Sequence, residues 1–364
     1  MQNEKFVIDA VAHAFNLTEQ NFAVPKHARP ITDMVYGIVS LAPEGYKLSK
    51  DAVLRNWGID DTAAMLFSES DTDVAVYHPT PIFAYKDGMS SVEKGVEALK
   101  KYPQRFIGAY AAVDPLAGDR AIAELKRQAE LLNPIGVKLY PTSWSGDTVS
   151  TWRMDDPKVA FPIYEAAAEL GIRHVGIHKA IPLGPAPTTP SFDPTDVEGA
   201  ADAFPELEFQ IVHGGMAFTE ETAWLLARLP NITVTLESMN IVLANHPRMF
   251  TRILLGLMHV GGNAILERLY WATGTMQYHP RPCLELFEEF KFPEDQLDNF
   301  GLFGEIKQLT EQDKANIVGL NYARSHGLDI DAIRSRLEND QFDRGETGAA
   351  APYSTTSVAS SVIG

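Results

Sequence analysis

The sequence has one cysteine, a shortage of basic residues and no long apolar run. Cys283 is the single cysteine among 364 residues, so no disulfide can form within the chain, and this is compatible with a reducing compartment. Lys and Arg number 31 against 48 Asp and Glu, which gives a net charge of −17. A field of that sign disfavours binding to nucleic acid and to anionic membrane surfaces.

Two further absences bear on localisation. The N-terminus has no basic segment followed by an apolar segment, so we expect no signal peptide. No apolar run approaches the ~20 residues that a membrane span needs. The sequence therefore predicts a cytoplasmic protein with no nucleic-acid or membrane partner.

What the sequence has is a regular alternation of short apolar runs and amphipathic stretches. The 45% of hydrophobic residues suffices for one large α/β domain or two smaller ones. The runs that predict strands are 6–13, 72–79, 105–115, 135–141, 172–178, 207–215, 232–238 and 268–274. The stretches that predict helices are 91–102, 118–132, 156–170 and 220–229.

Strands that alternate with helices indicate parallel βαβ units, and eight of them close naturally into a (β/α)8 barrel. An open doubly wound sheet is the rival fold, but no G-x-G-x-x-G follows the first strand. We predict one barrel over residues 1–330, with residues 14–70 as an insertion that serves as a lid or partner contact. The Pro-rich stretch 181–194 should cover the mouth. Residues 331–364 form an extension whose Ser/Thr-rich end is disordered or lies on a neighbouring subunit.

Three histidines stand where predicted strands end, namely His13, His178 and His213. The carboxyl ends of barrel strands face one site, so three imidazoles there predict a mononuclear centre for Zn, Fe or Mn. Each histidine taken singly is equally well explained by a hydrogen bond at a strand end. Glu237, at the end of the seventh run, could complete the ligand set.

Two further polar residues are candidates for catalysis. Lys138 lies inside an apolar strand, where a lysine needs a partner or a function. It could orient a substrate carboxylate, or pair with Asp9 or Glu237. His279 could contact substrate or act as a general acid, or be an ordinary loop histidine.

An ordered set of short stretches resembles the amidohydrolase-related family, in the branch of aminocarboxymuconate-semialdehyde and resorcylate decarboxylases. The stretches are VIDAVAH, RFIGAYAAVDP, GVKLYP, VGIHKA, FQIVHGG and LTEQDKANIVGLNYARSHGL, spread over residues 6 to 328. The resemblance implies a distorted (β/α)8 TIM-type barrel, one divalent metal, hydrolysis or non-oxidative decarboxylation, and dimers or higher oligomers.

The chain departs from that family at two metal-linked positions. The first strand of the family usually reads D-x-H-x-H, and here Val11 stands at one histidine position between Asp9 and His13. The eighth strand of the family usually ends in a turn with a metal-binding aspartate, and here Gly274 stands in its place. The resemblance therefore implies a reduced site of His13, His178 and His213, with Glu237 as a substitute anion.

Three functions follow as hypotheses. The first is a metal-dependent lyase or hydrolase whose small substrate carries a carboxylate held by Lys138, while Glu237 or His279 moves a proton. The second is a reduced-site subunit that pairs with a complete barrel in an iron- or manganese-dependent hydroxylase of short carboxylic acids. The third is a metal-free binding protein. Homo-oligomers, or hetero-oligomers with a related barrel, are expected.

Overall fold

The fold is an α/β barrel of eight parallel strands. The structure is a computed structural model that describes residues 5–297, 301–338, 340–343 and 348–355. The barrel strands are β1 (Ile8–Ala12), β2 (Val74–Tyr77), β3 (Phe106–Ala112), β4 (Gly136–Leu139), β5 (His174–His178), β6 (Glu208–Val212), β7 (Ile232–Thr235) and β8 (Leu269–Tyr270). A short antiparallel ribbon, Thr142–Ser143 with Ser150–Thr151, follows β4. All eight predicted strands are confirmed.

The strands pair in chain order, each parallel to the next, from β1 to β8. The two edge strands meet: Ala10 N donates to Trp271 O at 3.0 Å, and Gly274 N donates to Val11 O at 3.0 Å. This closure rules out the open doubly wound sheet. It also brings the carboxyl ends of the strands around one mouth.

Helices fill the connections between strands, and the four predicted helices are among them. The α-helices are α1 (Pro25–Val39), α2 (Lys50–Val53), α3 (Ile59–Ala63), α4 (Val92–Lys101), α5 (Asp119–Leu132), α6 (Phe161–Glu169), α7 (Asp196–Ala203), α8 (Thr219–Arg228), α9 (Met239–Asn245), α10 (Pro247–Gly261), α11 (Pro280–Glu289), α12 (Glu311–Ala315), α13 (Asn321–Ser325) and α14 (Ile330–Leu337). Glu19–Asn21, Pro115–Ala117 and Gly262–Arg268 are 3-10 helices, and Ala64–Ser68 and Asn316–Leu320 are π-helices.

The predicted insertion carries α1, α2 and α3. Pro25 suits the first turn of α1 because it has no amide hydrogen to leave unpaired. One face of α1 places Ile31 and Val35 in an apolar cluster with barrel-mouth residues such as Tyr140. We call α1 and the loop after it, residues 25–48, the cap.

The helical segment after β8 closes the barrel from below. Gly319 packs so tightly on the residues that lead into β1 that a Cβ there would overlap the Phe6 carbonyl oxygen. Residues 348–355 pack on this chain, with Tyr353 buried in the same apolar cluster as α1. The rest of the predicted tail, 345–347 and 356–364, lies outside the described residues.

One helical stretch, Pro247–Arg268, has the length and composition of a membrane span. More than half of it is buried, and Phe250, Leu254 and Leu257 belong to the main core. The core helix of a soluble protein passes the same test. The expected lack of a membrane partner stays a prediction.

Candidate active site at the barrel mouth

Polar side chains from four strand ends line one buried cavity. His13 follows β1, His178 ends β5, His213 follows β6, and Glu237 lies two residues beyond β7. Each of the four is at most 4% exposed. The structure therefore brings together four of the six predicted site residues.

His178 and His213 form a directed hydrogen bond. The Ile181 carbonyl oxygen lies 2.8 Å from His178 Nε2, so that nitrogen carries the proton and Nδ1 is the acceptor. His213 Nε2 lies 2.7 Å from His178 Nδ1 and must donate. His213 Nδ1 is then a bare lone pair, and it has no hydrogen-bond partner among the described residues.

His13 has the complementary tautomer. Its Nδ1 lies 2.7 Å from the His78 carbonyl oxygen and donates to it, which leaves Nε2 bare. Nε2 lies 3.9 Å from Glu237 Oε1, and His213 Nδ1 lies 3.4 Å from Glu237 Oε2. Two imidazole lone pairs thus face one carboxylate.

This donor set resembles one that surrounds a cation. Ligands about 2.0–2.2 Å from a tetrahedral zinc lie roughly 3.3–3.6 Å from one another. The His213–Glu237 distance of 3.4 Å falls within that spacing, and the His13–Glu237 distance of 3.9 Å exceeds it. In the described part of the chain, however, no three His, Cys, Asp or Glu side chains are already arranged to hold an ion.

His178 lines the cavity, but both of its ring nitrogens have partners within the chain. Nε2 lies beside the Ile181 carbonyl oxygen and Nδ1 beside His213 Nε2. The predicted metal-binding role of His13, His178 and His213 stays a prediction.

Glu237 occupies the space that Gly274 leaves open. A Cβ at residue 274 would lie 2.7 Å from Glu237 Oε1 and 3.1 Å from its Cγ. The carboxylate in this part of the site therefore comes from Glu237, after the seventh strand, and lies beside Gly274. Val11, the other departure, is fully buried among apolar side chains of the barrel interior.

Lys138 lies on β4, with its Nζ 5.8 Å from the ring centre of Tyr140. Burial, followed by the Lys138 charge, lowers the pKa of His13 and of His178 to about 3. Both rings are therefore neutral at pH 7. Burial raises the pKa of Glu237 and lowers that of Lys138, while each charge partly offsets the shift of the other.

Lys138 forms no ion pair with Asp9 or Glu237 in the part of the chain described here, so neither predicted pairing is seen as a contact. Asp9 instead accepts from Val11 N at 3.1 Å and Thr273 N at 3.0 Å, and from the Thr273 hydroxyl. Asp9 thereby ties β1 to the segment after β8. Lys138 is not among the residues that line the cavity, but Tyr140, which its Nζ approaches, is one of them.

Backbone in the left-handed region marks the strand ends around the site. Ala180, His213, Ser238 and Gly274 all have φ between 64° and 74°. Three of them carry a Cβ, for which this region is disfavoured. Such residues concentrate at functional sites, because the surrounding fold must hold them there.

The roof of the cavity is apolar. It is lined by Phe15, Ile31, Met34, Val35, Ile38, Ile82, Met89, Ile181 and Leu183, with Tyr140, Ser238 and Gln277 at the sides. α1 supplies four of these residues, and the predicted mouth loop supplies Ile181 and Leu183. The free volume is about 40 Å³, and since one water needs ~10–15 Å³, it holds only a few waters.

His279 is not in the cavity. Its Nε2 lies 3.0 Å from Glu69 Oε2, both side chains are fully buried, and its ring lies 5.3 Å from that of Tyr353. Nδ1 accepts from Arg281 N, so Nε2 donates to Glu69. His279 thus lies beside the C-terminal segment, outside the cavity, and its role as a substrate contact or general acid stays a prediction.

Two residues near the site were missed from the sequence. Tyr140 stacks on His178 with ring centres 4.5 Å apart. His78, just after β2, is fully buried, stacks on Tyr110 at 3.8 Å, and leaves both ring nitrogens unpaired among the described residues. The GVKLYP stretch could have indicated Tyr140, since it lies two residues after Lys138 on the same side of the strand.

A pH-dependent effect on stability should arise at Asp9. Burial raises the pKa of Asp9 from 3.8 to about 6, so the folded state holds this proton more tightly than the unfolded state. Asp9 makes its full contribution to the free energy of unfolding, about 2–3 kcal/mol, below pH 4. That contribution is lost as the pH rises through 6.

Asp9→Asn should remove that dependence. Urea unfolding of both proteins from pH 4 to 7 should show the variant gaining on the parent by about 2–3 kcal/mol as pH rises. The other titrating groups are the same in both proteins, so their contributions cancel in the difference between the two free energies of unfolding. Parallel stability curves would refute this account of Asp9.

The architecture defines the chain as a TIM-barrel protein with a polar site at the carboxyl ends of its strands. A sequence profile of the amidohydrolase family matches residues 60–324, well over half of the chain. The chain belongs to the amidohydrolase family. Comparison with curated protein sequences finds no significant match.

Solved structures share this fold at low sequence identity. An uncharacterized TIM-barrel protein from Bordetella bronchiseptica is 14% identical with a TM-score of 0.59, over 92% of this chain and 99% of that one. A 2,6-dihydroxybenzoate decarboxylase from Rhizobium is 17% identical with a TM-score of 0.56, over 89% and 99%. A 5-carboxyvanillate decarboxylase from Novosphingobium aromaticivorans, with bound manganese, is 17% identical with a TM-score of 0.52, over 90% and 98%.

Proposed function

We propose that this protein is an enzyme that acts on a small carboxylated substrate by lyase- or hydrolase-type chemistry, with decarboxylation the first reaction to test. The observation that carries the proposal is the pair of bare imidazole nitrogens, on His13 and His213, that face the Glu237 carboxylate at the barrel mouth. Family membership and two decarboxylases among the solved structures support it.

The residues fit one divalent ion, zinc, iron or manganese. His13 Nε2, His213 Nδ1 and Glu237 would hold it, and His178 would fix the tautomer of His213. The unpaired His213 Nδ1 is the buried atom that such an ion would satisfy. When bound, the ion would polarise an oxygen of the substrate or activate water.

The chain's own residues would do the rest. Lys138 would supply the positive charge that attracts a substrate carboxylate. The apolar roof would enclose the remainder of the substrate and exclude water. Glu237, with one oxygen toward the ion, could move a proton with the other. A cytoplasmic location, and assembly with itself or a related barrel, remain part of the proposal.

Metal analysis of purified variants tests the ligand set. The parent protein should retain about one equivalent of divalent metal after dialysis, and His13→Ala or His213→Ala should retain almost none. His326→Ala is a matched control, because that half-buried ring stacks on His174 at 3.8 Å, outside the cavity. Full retention by His13→Ala and His213→Ala would refute the ligand set.

Screening for the reaction uses the metal-loaded parent with a panel of small benzoates and aliphatic carboxylates. We expect the parent to release CO₂ from a member of this panel, and Lys138→Met to release less. Equal release by Lys138→Met would exclude the proposed role of this lysine in holding the carboxylate.

A further inference from the structure

The C-terminal segment Ala350–Ser354 is wrapped around one buried carboxylate. Glu69 Oε1 accepts from Ser354 N and Ser354 Oγ, and Glu69 Oε2 accepts from Tyr353 N, all at 2.7 Å. Tyr353 has φ 59°, in the left-handed region. Successive amides in such a turn form a concave anion site, here filled by Glu69 of the same chain.

The same segment reaches the cap. Tyr353 is 2% exposed, and its ring belongs to the apolar cluster that includes Ile31 and Val35 of α1. Its hydroxyl donates to the Tyr46 carbonyl oxygen at 2.9 Å, in the loop that follows α1. The segment thus joins the cap to Glu69, which His279 in turn fixes to the region after β8.

The cavity under the cap is smaller than a typical substrate pocket. Pockets that hold small molecules usually measure ~300–1,000 Å³, far more than the present ~40 Å³ under α1. The wall most readily displaced is α1, because the barrel strands that form the floor are tied into a closed sheet. Contacts that hold the loop after α1 in place therefore influence how often the cavity opens.

We propose that residues 350–354 act as a strap that latches the cap closed over the cavity, and that release of the strap from Glu69 opens the site. The segment has no helix or strand, and a handful of hydrogen bonds with one apolar side chain hold it. Such a segment can detach while the barrel stays folded. The inference depends on the cap and cavity alone, so it stands or falls apart from the metal.

Hydrogen exchange of the full chain and two shortened chains tests the strap. A chain ended at residue 349 lacks the strap, and a chain ended at residue 355 keeps it and serves as the matched control. Amides of residues 25–48 should exchange roughly tenfold faster or more in the first and at the parental rate in the second, since hydrogen bonds to a charged group are lost. Amides of β5 and β6 should be unchanged in both.

Point variants keep the test decisive if the chain ended at 349 does not fold. Tyr353→Ala should accelerate exchange in residues 25–48, and Tyr353→Phe should do so less, because it keeps the buried ring and loses the hydroxyl that bonds to Tyr46. Tyr164→Phe is the control, since its hydroxyl donates to the Met154 carbonyl oxygen far from the cap. Unchanged exchange in residues 25–48 for Tyr353→Ala, or equal acceleration across β5 and β6, would overturn the proposal.

Discussion

Glu237→Ala should weaken divalent-metal binding by at least ~100-fold, because it removes the one anion among the proposed ligands. Changes that only affect residues behind the ligands typically cost 10–100-fold, so losing a ligand should cost at least as much. The affinity of parent and variant for manganese or zinc, measured by titration calorimetry, gives the comparison.

A second substitution should restore part of that affinity. In Glu237→Ala, the space beside residue 274 is empty, so Gly274→Asp in the same chain can place a carboxylate there. Asp is among the few residues that tolerate the left-handed backbone of this position, φ 67°. The double variant should bind metal better than Glu237→Ala.

Gly274→Asp alone provides the control. With Glu237 present, the new Cβ would lie 2.7 Å from its Oε1, so this single variant should be destabilised. If Glu237→Ala binds metal as tightly as the parent, Glu237 is not a ligand. If the double variant gains nothing over Glu237→Ala, the two positions do not share one site.

Lys179→Met should lower the free energy of unfolding by about 3–5 kcal/mol, the usual loss when a buried ion pair is broken by removing one partner. Lys179 Nζ lies 2.9 Å from Asp196 Oδ1 and 2.7 Å from the Ser191 carbonyl oxygen, and Lys179 and Asp196 are at most 1% exposed. The variant leaves the Asp196 carboxylate buried without its cation.

Urea unfolding monitored by circular dichroism checks this value. The control is Lys26→Met, since Lys26 pairs with Asp147 at 3.0 Å on the surface, where the side chains are 53% and 99% exposed. That pair should contribute no more than ~0.5 kcal/mol. Equal losses in the two variants would contradict the claim that Lys179 anchors the mouth loop through a buried pair.

The sequence predicted the barrel well because its signals are local. A run such as IGVKLYP is apolar for about the length of a strand, and SVEKGVEALKKY has the period of a helix, whatever surrounds them. The closure of eight strands then places His13, His178, His213 and Glu237 at one mouth, so topology alone brings them together.

What the sequence could not predict depends on contacts between distant residues. The turn of His178 toward His213 is set by the Ile181 carbonyl oxygen, whose position depends on the path of a loop. His279 faces Glu69, 210 residues away, and no local pattern announces that partner. The fit of Glu237 into the space beside Gly274 likewise appears only once the two strand ends are adjacent.

The insertion was predicted from the sequence in part, and its contacts were not. Its existence followed from the long gap between the first two strands, and a lid was one of two predicted roles. That α1 supplies Ile31, Met34, Val35 and Ile38 to the roof became visible only from the packed structure. Tyr353, whose hydroxyl bonds to the Tyr46 carbonyl oxygen of the insertion, lies more than 300 residues further along the chain.

Anomalous diffraction from crystals soaked in manganese would locate the ion and its ligands. We expect one strong peak at the barrel mouth, within about 2.0–2.3 Å of His13 Nε2, His213 Nδ1 and a Glu237 oxygen. A peak bound by His178 in place of His213 would contradict the ligand set. No peak at the mouth, in crystals whose cavity is open to solvent, would contradict the metal-dependent site as a whole.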